Sequence, residues 1–360
     1  MTLRFHAPYM EWAKTRPQAT NDLAISNLLA CTLEDLPDAH AALGLAGRND
    51  NGYLPLLEAI ATRYGVRTDQ VTTAQGTSGA NFLVCAALLD PGDEVIVESP
   101  GYDPLLGAPR LLGAGVQRFE RMFEEGWRLD PLRVERALTA RTRLIVVTRP
   151  HNPTGALMDV EALKAVGRLA AARGAHVLVD EVYLDATDEH AIPAARFGAE
   201  FISTSSLTKS YGLAGLRCGW VLSSAAVAAR LRRARDVVDG TGPIVTERLS
   251  VVAFQNLDRL IARARGILEP NRVLVEAFLR SRPELRYVTP AGGTVVFARL
   301  ETTSNTDRFA DRLLAERGTA VVPGHFFEAP AHFRIGFSGD TDTLRAGLAA
   351  IGAALDERAW

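Results

Sequence analysis

The feature that most constrains the fold of this chain is a series of short apolar segments that alternate with amphipathic stretches from residue 71 onwards. Residues 94–98, 143–148 and 176–179 are rich in valine, isoleucine and leucine, which is typical of strands buried on both faces. The stretches between them have the length and apolar spacing of helices. The pattern therefore predicts an α/β fold in which a mostly parallel central sheet is sandwiched by helices.

The pattern changes after residue 245, where a long helical stretch to about residue 279 is followed by strands and helices in mixed order. A chain of 360 residues is long enough for two domains. We expect an N-terminal arm that contributes to a small domain over residues 1–48, and a large ligand-binding domain over residues 49–245. Residues 246–360 are predicted to form a long connecting helix and a smaller α+β C-terminal domain.

The composition argues against several classes of protein. The formal net charge of −2 does not suit a nucleic-acid-binding surface, and no apolar run is long enough to span a membrane. The first residues lack the continuous apolar core of a secretory signal. Cys31, Cys85 and Cys218 show no CxxC spacing, which argues against a disulfide framework and a zinc site. We therefore expect a cytoplasmic protein without a metal centre.

Lysine is scarce in this chain. Of the 40 Lys and Arg residues, only Lys14, Lys164 and Lys209 are lysines, and the other 37 are arginines. Arginine keeps its proton, whereas a lysine can become neutral and form a Schiff base with a carbonyl group. Lys209 lies among hydroxyl and glycine residues and shortly before Arg217, and such a stretch suits a phosphate group. These features make Lys209 the candidate for covalent chemistry.

Four further features stand at or just after the carboxyl ends of predicted strands, where parallel sheets bind ligands. Residues 76–80 form a strand-to-helix turn that suits either phosphate binding or a plain tight turn. Tyr102 could stack on a flat ring or pack in the core, and residues 151–155 form the turn sequence His-Asn-Pro-Thr-Gly. Asp180 ends an apolar strand, so its carboxylate needs a cation, either a protonated cofactor ring nitrogen or an arginine.

In this order, the features resemble the motifs of the class I/II aminotransferases, the pyridoxal-phosphate (PLP)-dependent enzymes with the aspartate aminotransferase fold. The similarity extends from about Gly52 to Ser338, and the stretch from Lys209 to Trp220 closely matches the lysine motif of that family. The resemblance implies a seven-stranded type of central sheet, PLP as the cofactor and a homodimer with shared active sites. It also implies an amino acid and a 2-oxo acid as substrates, and neither nucleic acid nor a membrane as a partner.

The resemblance also implies roles for single residues. Lys209 matches the lysine that holds PLP as a Schiff base, and Asp180 matches the aspartate that pairs with the pyridine nitrogen. Tyr183 and Asn152 match the residues that contact the ring hydroxyl oxygen, and Tyr102 matches the aromatic residue that stacks on the ring. Lys209 would act as the base at the substrate Cα, so Lys209, Asp180 and Tyr183 are the expected catalytic residues.

The same resemblance implies which residues bind the substrate and which bind the cofactor phosphate. Arg334 resembles the arginine that binds the substrate α-carboxylate, with a surface charge on a strand as the alternative interpretation. Arg334 and Asn152 are therefore the expected substrate-binding residues. The expected phosphate-binding residues are Thr77, Ser78, Gly79, Ser206 and Arg217.

One departure from the family pattern concerns the partner subunit. Gly47 stands where the family has a tyrosine that reaches the phosphate bound by the partner. Arg48 is the candidate replacement for that contact.

A second departure concerns the substrate side. The usual Gly-x-Pro loop is missing, and residues 24–29 read Ala-Ile-Ser-Asn-Leu-Leu, with Asn27 as a candidate substrate contact. Upstream, Tyr9 and Trp12 either pack an N-terminal arm or line the substrate pocket. No residue is identifiable as a second carboxylate clamp, so strictly dicarboxylic substrates are not expected.

Three functions remain in competition. The leading hypothesis is an aminotransferase that moves an amino group between an L-amino acid and a 2-oxo acid. The alternative is a PLP-dependent lyase, cyclase or oxidase of the same fold that acts on an amino acid in a biosynthetic pathway, because the same residues would serve those reactions. A non-catalytic protein that binds PLP or another ligand is the third, and it is disfavoured because every catalytic position is filled.

Overall fold

The computed structural model describes residues 6–188 and 190–357. The strands are β1 (Asn21–Asp22), β2 (Val71–Gln75), β3 (Glu94–Ser99), β4 (Gly115–Glu120), β5 (Thr142–Thr148), β6 (His176–Asp180), β7 (Phe201–Ser206), β8 (Cys218–Leu222), β9 (Leu285–Tyr287), β10 (Val295–Leu300), β11 (Thr319–Ala320), β12 (Val322–Pro323) and β13 (His332–Gly336). The α-helices are α1 (Pro8–Thr15), α2 (Leu54–Tyr64), α3 (Gly76–Leu88), α4 (Asp103–Leu111), α5 (Pro131–Ala137), α6 (Val160–Ala171), α7 (Ala225–Val238), α8 (Ile244–Gln255), α9 (Leu257–Arg280), α10 (Asp307–Arg317) and α11 (Thr341–Asp356).

Seven strands form the central sheet in the order β2-β8-β7-β6-β5-β3-β4. β8 runs antiparallel to both of its neighbours, whereas the other adjacent strands are parallel. Successive side chains of one strand face opposite sides, so Leu144 and Leu178 join one apolar cluster while Ile145 and Val177 join another. Helices cover both clusters. The prediction of an α/β fold with a mostly parallel seven-stranded central sheet is confirmed.

A second, antiparallel sheet has the strand order β12-β13-β10-β9. The N-terminal strand β1 pairs with β11 through Asn21 and Thr319, which places the chain after α1 beside these later strands. Leu23 accordingly packs in the same apolar cluster as Phe333 and Ile335 of β13. The division of the chain near residues 48 and 245 stays a prediction.

The helical stretch after residue 245 contains a break that the sequence pattern did not indicate. α8 ends at Gln255 and α9 begins at Leu257, because the backbone of Asn256 leaves the helical conformation (φ −114°, ψ 21°). The side-chain amide of Asn256 donates to the carbonyl oxygen of Val252 at 2.9 Å. The apolar spacing continues across this break, so periodicity alone predicted one long segment. Among the described helices, none has both the length and the apolar character needed to cross a bilayer.

The carboxyl ends of several strands meet at one edge of the central sheet. The register pairs Thr148 of β5 with Asp180 of β6, and Asp180 with Thr204 of β7. β2 runs in the same direction and leads directly from Gln75 into α3. Loops and helix starts that follow these strands therefore share one crevice, which is where open α/β sheets bind ligands.

Gly219 of β8 lies so close to α3 that a Cβ atom at this position would overlap the backbone of Gly76. We predict that Gly219→Ala lowers the free energy of unfolding by about 1–3 kcal/mol, because two backbones must then separate. Urea-induced unfolding followed by circular dichroism measures the change. Gly215→Ala is the matched control, since a Cβ at Gly215 meets no heavy atom within 4 Å beyond its chain neighbours. Equal unfolding midpoints for the two variants would contradict the prediction.

Candidate active site

A cavity of about 290 Å³ lies at the shared edge of the central sheet, and Arg334 of β13 lines it from the second sheet. Most of the residues predicted as functional line this cavity, although they come from segments far apart in the chain. The exception is Gly79, which lies in the first turn of α3 outside the lining. The predicted residues that line the cavity are Asn27, Thr77, Ser78, Tyr102, Asn152, Asp180, Tyr183, Ser206, Lys209, Arg217 and Arg334.

Asp180 presents a buried carboxylate at the end of β6. Its described hydrogen bonds come from neutral groups: the side-chain amide of Asn81 at 2.8 Å and the backbone N–H of Val182 at 3.2 Å. Burial raises the pKa of Asp180, while these hydrogen bonds and the charge of Lys209 act in the opposite direction. A carboxylate in this setting fits a cationic group in the cavity, such as a protonated pyridine nitrogen.

Lys209 lies in the loop after β7 and is one of the lining residues. Its amine Nζ donates a hydrogen bond to the hydroxyl Oγ of Ser26 at 3.0 Å. Burial lowers the pKa of Lys209 to about 8, and the charges of Arg334 and Arg217 add to this effect, whereas Tyr9 and Asp180 oppose it. A lysine with this pKa has an appreciable neutral fraction near neutral pH and is a competent nucleophile.

The groups predicted to bind a phosphate lie at the start of α3 and beside it. Thr77 lies in the first turn of α3, and its hydroxyl donates to Ser206 Oγ at 2.9 Å. Gly76 (φ +69°) leaves the space that the Arg217 guanidinium occupies, since a Cβ at Gly76 would overlap it. The buried hydroxyl of Thr208, which also lines the cavity, has no hydrogen-bond partner among the described residues. A helix N-terminus, an arginine and an orphaned hydroxyl together fit a phosphate group.

Tyr102, Asn152 and Tyr183, the residues expected to contact the cofactor ring, line the same cavity. Burial raises the pKa of Tyr183, and the charge of Arg334 and a hydrogen bond from Ser26 act in the opposite direction. Asn152 follows β5, and its backbone N–H donates to Thr148 Oγ1 at 2.9 Å. The ring of Tyr102 lines the same space and contacts the ring of Tyr9 edge-on, with 5.9 Å between centroids.

Arg334 of β13 is buried, which rules out the alternative interpretation of a surface charge on a strand. Its guanidinium donates to Asn152 Oδ1 at 3.1 Å, to the hydroxyl of Tyr9 at 2.7 Å and to the carbonyl oxygen of Ala24 at 3.0 Å. The guanidinium also lies 5.0 Å from the ring centroid of Phe327. No anion among these contacts neutralises the guanidinium. It is therefore available to bind a carboxylate in the cavity.

For Tyr9 and Trp12 of α1, the sequence left open whether they pack the N-terminal arm or line the pocket, and in the structure they do both. They pack against Phe326, with centroid distances of 6.0 and 5.2 Å, and they also line the cavity. Arg48, in contrast, is exposed and pairs with Asp50 at 2.7 Å, away from this cavity.

Sequence reasoning did not single out nine of the lining residues, among them Met10, Arg16, Ser26 and Thr208. Met10 and Arg16 come from the region of α1, where the sequence has no motif that would single them out. Thr208 and Ser26 are direct neighbours of Lys209 and Asn27, and their position beside predicted residues was the only available signal. In the part of the chain that the structure describes, no group of three or more His, Cys, Asp or Glu side chains could hold a metal ion.

Residues 20–351 match the family described as aminotransferase class I and II. The chain belongs to this family. A capreomycidine synthase of Streptomyces vinaceus is 32% identical over 98% of this chain and 94% of its own length. An arginine–pyruvate transaminase of Pseudomonas aeruginosa is 32% identical over 82% of this chain and 78% of its own length.

Solved structures agree with the family assignment. A PLP-dependent aminotransferase from Streptococcus suis superposes with a TM-score of 0.92 at 29% identity and covers 98% of both chains. The aspartate aminotransferase of Thermus thermophilus with maleate gives a TM-score of 0.85 at 27% identity, over 97% of this chain and 94% of its own. The protein is thus a PLP-dependent enzyme of the aminotransferase class, and the predicted family, fold and cofactor are confirmed.

The electrostatic position of Asp180 leads to a prediction. We expect Asp180→Asn to lower turnover by at least about 100-fold, because a neutral amide no longer favours a protonated ring nitrogen. The cofactor should remain bound, since the phosphate-binding groups are unchanged. Steady-state kinetics and the absorbance of bound PLP measure the two effects.

Asp185→Asn is the control for this prediction. Asp185 is another buried carboxylate, but it accepts from the Tyr64 hydroxyl at 2.6 Å and from Arg63 at 3.1 Å, and it does not line the cavity. We expect its turnover to stay within a few-fold of the wild type. Equal turnover in the two variants would remove Asp180 from its assigned role.

Proposed function

We propose that the protein transfers an amino group between an L-amino acid and a 2-oxo acid and that Lys209 carries the cofactor and moves the proton. The observation that supports this most is the placement of the Lys209 amine in one cavity with a buried carboxylate, Asp180, and a buried guanidinium, Arg334. The Asp180 carboxylate suits the ring nitrogen of the cofactor, and the Arg334 guanidinium suits the carboxylate of the substrate. The amine lies in the same space as both.

The lining residues divide into groups that would hold PLP. Bound PLP supplies an electron sink for the carbanion that forms at the substrate Cα. Asp180 would keep a proton on the ring nitrogen, Tyr183 and Asn152 would donate to the ring oxygen, and Tyr102 would pack on the ring face. The phosphate would be held by the start of α3 together with the side chains of Thr77, Ser78, Ser206, Thr208 and Arg217.

Arg334 and Lys209 act on the substrate in this proposal. Arg334 binds the α-carboxylate through its planar guanidinium, while Asn152 and Tyr9 hold that guanidinium in place. Fixing the carboxylate directs the Cα–H bond toward the Lys209 amine. Lys209 would then accept the Cα proton at Nζ and release a proton from the same atom, for which a pKa of about 8 is well matched.

A lyase, cyclase or oxidase reaction is the second candidate. It is favoured by one observation: a relative that aligns with 98% of this chain is a capreomycidine synthase rather than an aminotransferase. The groups that hold PLP and bind the carboxylate would serve such a reaction equally well, because the fold does not fix the chemistry.

We also propose a homodimer in the cytoplasm, with active sites shared between subunits and a division into the large and small domains given above. In such a dimer, the interface would cover exposed apolar side chains such as Leu45 and Val237, which are 86% and 88% exposed. Arg48 lies on the same exposed segment as Leu45 and would contact the phosphate bound by the partner, in place of the missing tyrosine. The free thiols of all three cysteines are consistent with a reducing compartment.

The absorbance spectrum of the purified enzyme tests the proposed reaction while single amino acids are added without a 2-oxo acid. A transaminase converts the bound pyridoxal form into the pyridoxamine form, and the amino acids that cause this conversion define the substrate class. Persistence of the pyridoxal form with release of ammonia or a 2-oxo acid would support the second candidate instead. No response to any amino acid would contradict both.

The proposed carboxylate contact leads to a further prediction. We expect Arg334→Leu to raise KM for amino acids by at least about 10-fold, because a charge-assisted contact is lost, with little effect on PLP affinity. Arg334→Lys is the matched control. Its KM should lie between those of the wild type and the leucine variant, because lysine keeps the charge but not the planar guanidinium. Unchanged saturation curves for the leucine variant would exclude Arg334 as the clamp. Steady-state kinetics and cofactor titration provide the measurements.

A further inference from the structure

Residues 24–29, where the usual substrate loop is missing, run between the loop of Lys209 and the strand of Arg334. The carbonyl oxygen of Ala24 accepts from the Arg334 guanidinium at 3.0 Å. Four residues later, the backbone N–H of Leu28 donates to the carbonyl oxygen of Lys209 at 3.1 Å. This segment therefore contacts both residues that act on the substrate in the proposed reaction.

Ser26 lies between these two contacts and is fixed by its own backbone. Its carbonyl oxygen accepts from the Thr294 hydroxyl at 2.8 Å, and the next carbonyl, that of Asn27, accepts from Ser338 Oγ at 2.8 Å. The Ser26 side chain is buried, lines the cavity and accepts a hydrogen bond from Lys209 Nζ at 3.0 Å. The anchored backbone thus places one hydroxyl that accepts from the Lys209 amine and donates to Tyr183.

We propose that Ser26 is a positioning residue: its hydroxyl holds the Lys209 amine, whenever that amine is not covalently occupied, at the place from which it moves the substrate proton. The part that concerns proton transfer rests on the proposed function. The part that concerns the contact between Ser26 and the amine does not, because it is a property of the chain itself.

A hydroxyl suits this task better than a carboxylate would. A carboxylate beside Lys209 would favour the ammonium form strongly and would weaken the amine as a base. A hydroxyl has no charge, so it can orient the amine while leaving much of it neutral near pH 8. Lysine has a long, flexible side chain, and an orientation error of about 1 Å can cost on the order of 100-fold in rate.

The scarcity of lysine makes the contact directly measurable. With [ε-13C]lysine incorporated, the whole cofactor-free chain has three labelled side chains, those of Lys14, Lys164 and Lys209. Addition of PLP identifies the Lys209 signal, because only the lysine that binds the cofactor loses its titration. Lys14 and Lys164 serve as internal references in every variant.

In the NMR titration, we expect Ser26→Ala to lower the Lys209 midpoint by about one pH unit, because the lost hydroxyl acceptor favoured the ammonium form. Ser26→Thr keeps the hydroxyl and should titrate like the wild type. Ser338→Ala is the matched control, since Ser338 bonds the same segment through Asn27 but does not touch the amine. If Ser26→Ala fails to fold, Ser26→Cys tests the same loss with a weaker acceptor.

In the holoenzyme, single-turnover conversion with a saturating amino acid should slow by roughly 10-fold or more in Ser26→Ala, with KM much less affected. Ser26→Thr should restore most of the rate, and Ser338→Ala should keep it. An unchanged Lys209 midpoint and rate in Ser26→Ala would overturn the proposal, and so would equal losses in the alanine and threonine variants. If the wild type converts no amino acid, the proposed function fails, while the titration still decides whether Ser26 holds the amine.

Discussion

The buried carboxylate of Asp180 is the constraint on which the rest of the site depends. A carboxylate without a cation is costly to bury, and this one has only the amide of Asn81 and a backbone N–H as close partners among the described residues. The Asn81 amide cannot turn away, because its carbonyl oxygen accepts from the Thr204 hydroxyl at 2.6 Å. Its position at the end of β6 then places this fixed carboxylate in the wall of the cavity that Lys209 and Arg334 also line. A protonated pyridine nitrogen of bound PLP would supply the positive charge that these partners of Asp180 lack.

Other buried carboxylates in the same sheet show that this arrangement is specific to Asp180. Glu181, the next residue, pairs with Arg149 at 3.1 Å, and the fully buried Glu98 pairs with Arg121 at 2.9 Å. Glu98 also accepts from the backbone N–H and the hydroxyl of Thr148, each at 2.6 Å. Arginine therefore neutralises acids that have a structural role, whereas Asp180 keeps neutral partners. Pairing with arginine thus distinguishes Glu98 and Glu181 from Asp180, whereas burial does not.

Those features of the fold and the site that depend on local apolar pattern or on the order of motifs could be predicted from the sequence. Apolar runs indicated the parallel strands, and the motif around Lys209 indicated the family and the cofactor. The direction of β8 was not predictable, because a short apolar strand looks the same in parallel and antiparallel pairings. The contact of Ser26 with Lys209 joins residues 183 positions apart, and that of Arg334 with Tyr9 joins residues 325 positions apart. Neither has a local signal, so the substrate side of the site required the folded chain.

The same long-range packing bears on the expectation that strictly dicarboxylic substrates are disfavoured. Arg16 is a second arginine on the cavity wall, and its side chain is largely buried. It already donates to Asp22 at 2.5 Å and lies 5.3 Å from the ring centroid of Trp12. Asp22 already offsets much of the charge of Arg16, so Arg16 offers a second substrate carboxylate less than an unpaired cation would, whereas Tyr9, Trp12 and Met10 offer an apolar or aromatic surface on the same wall. The shape of this wall is thus set by how α1 packs against the cavity.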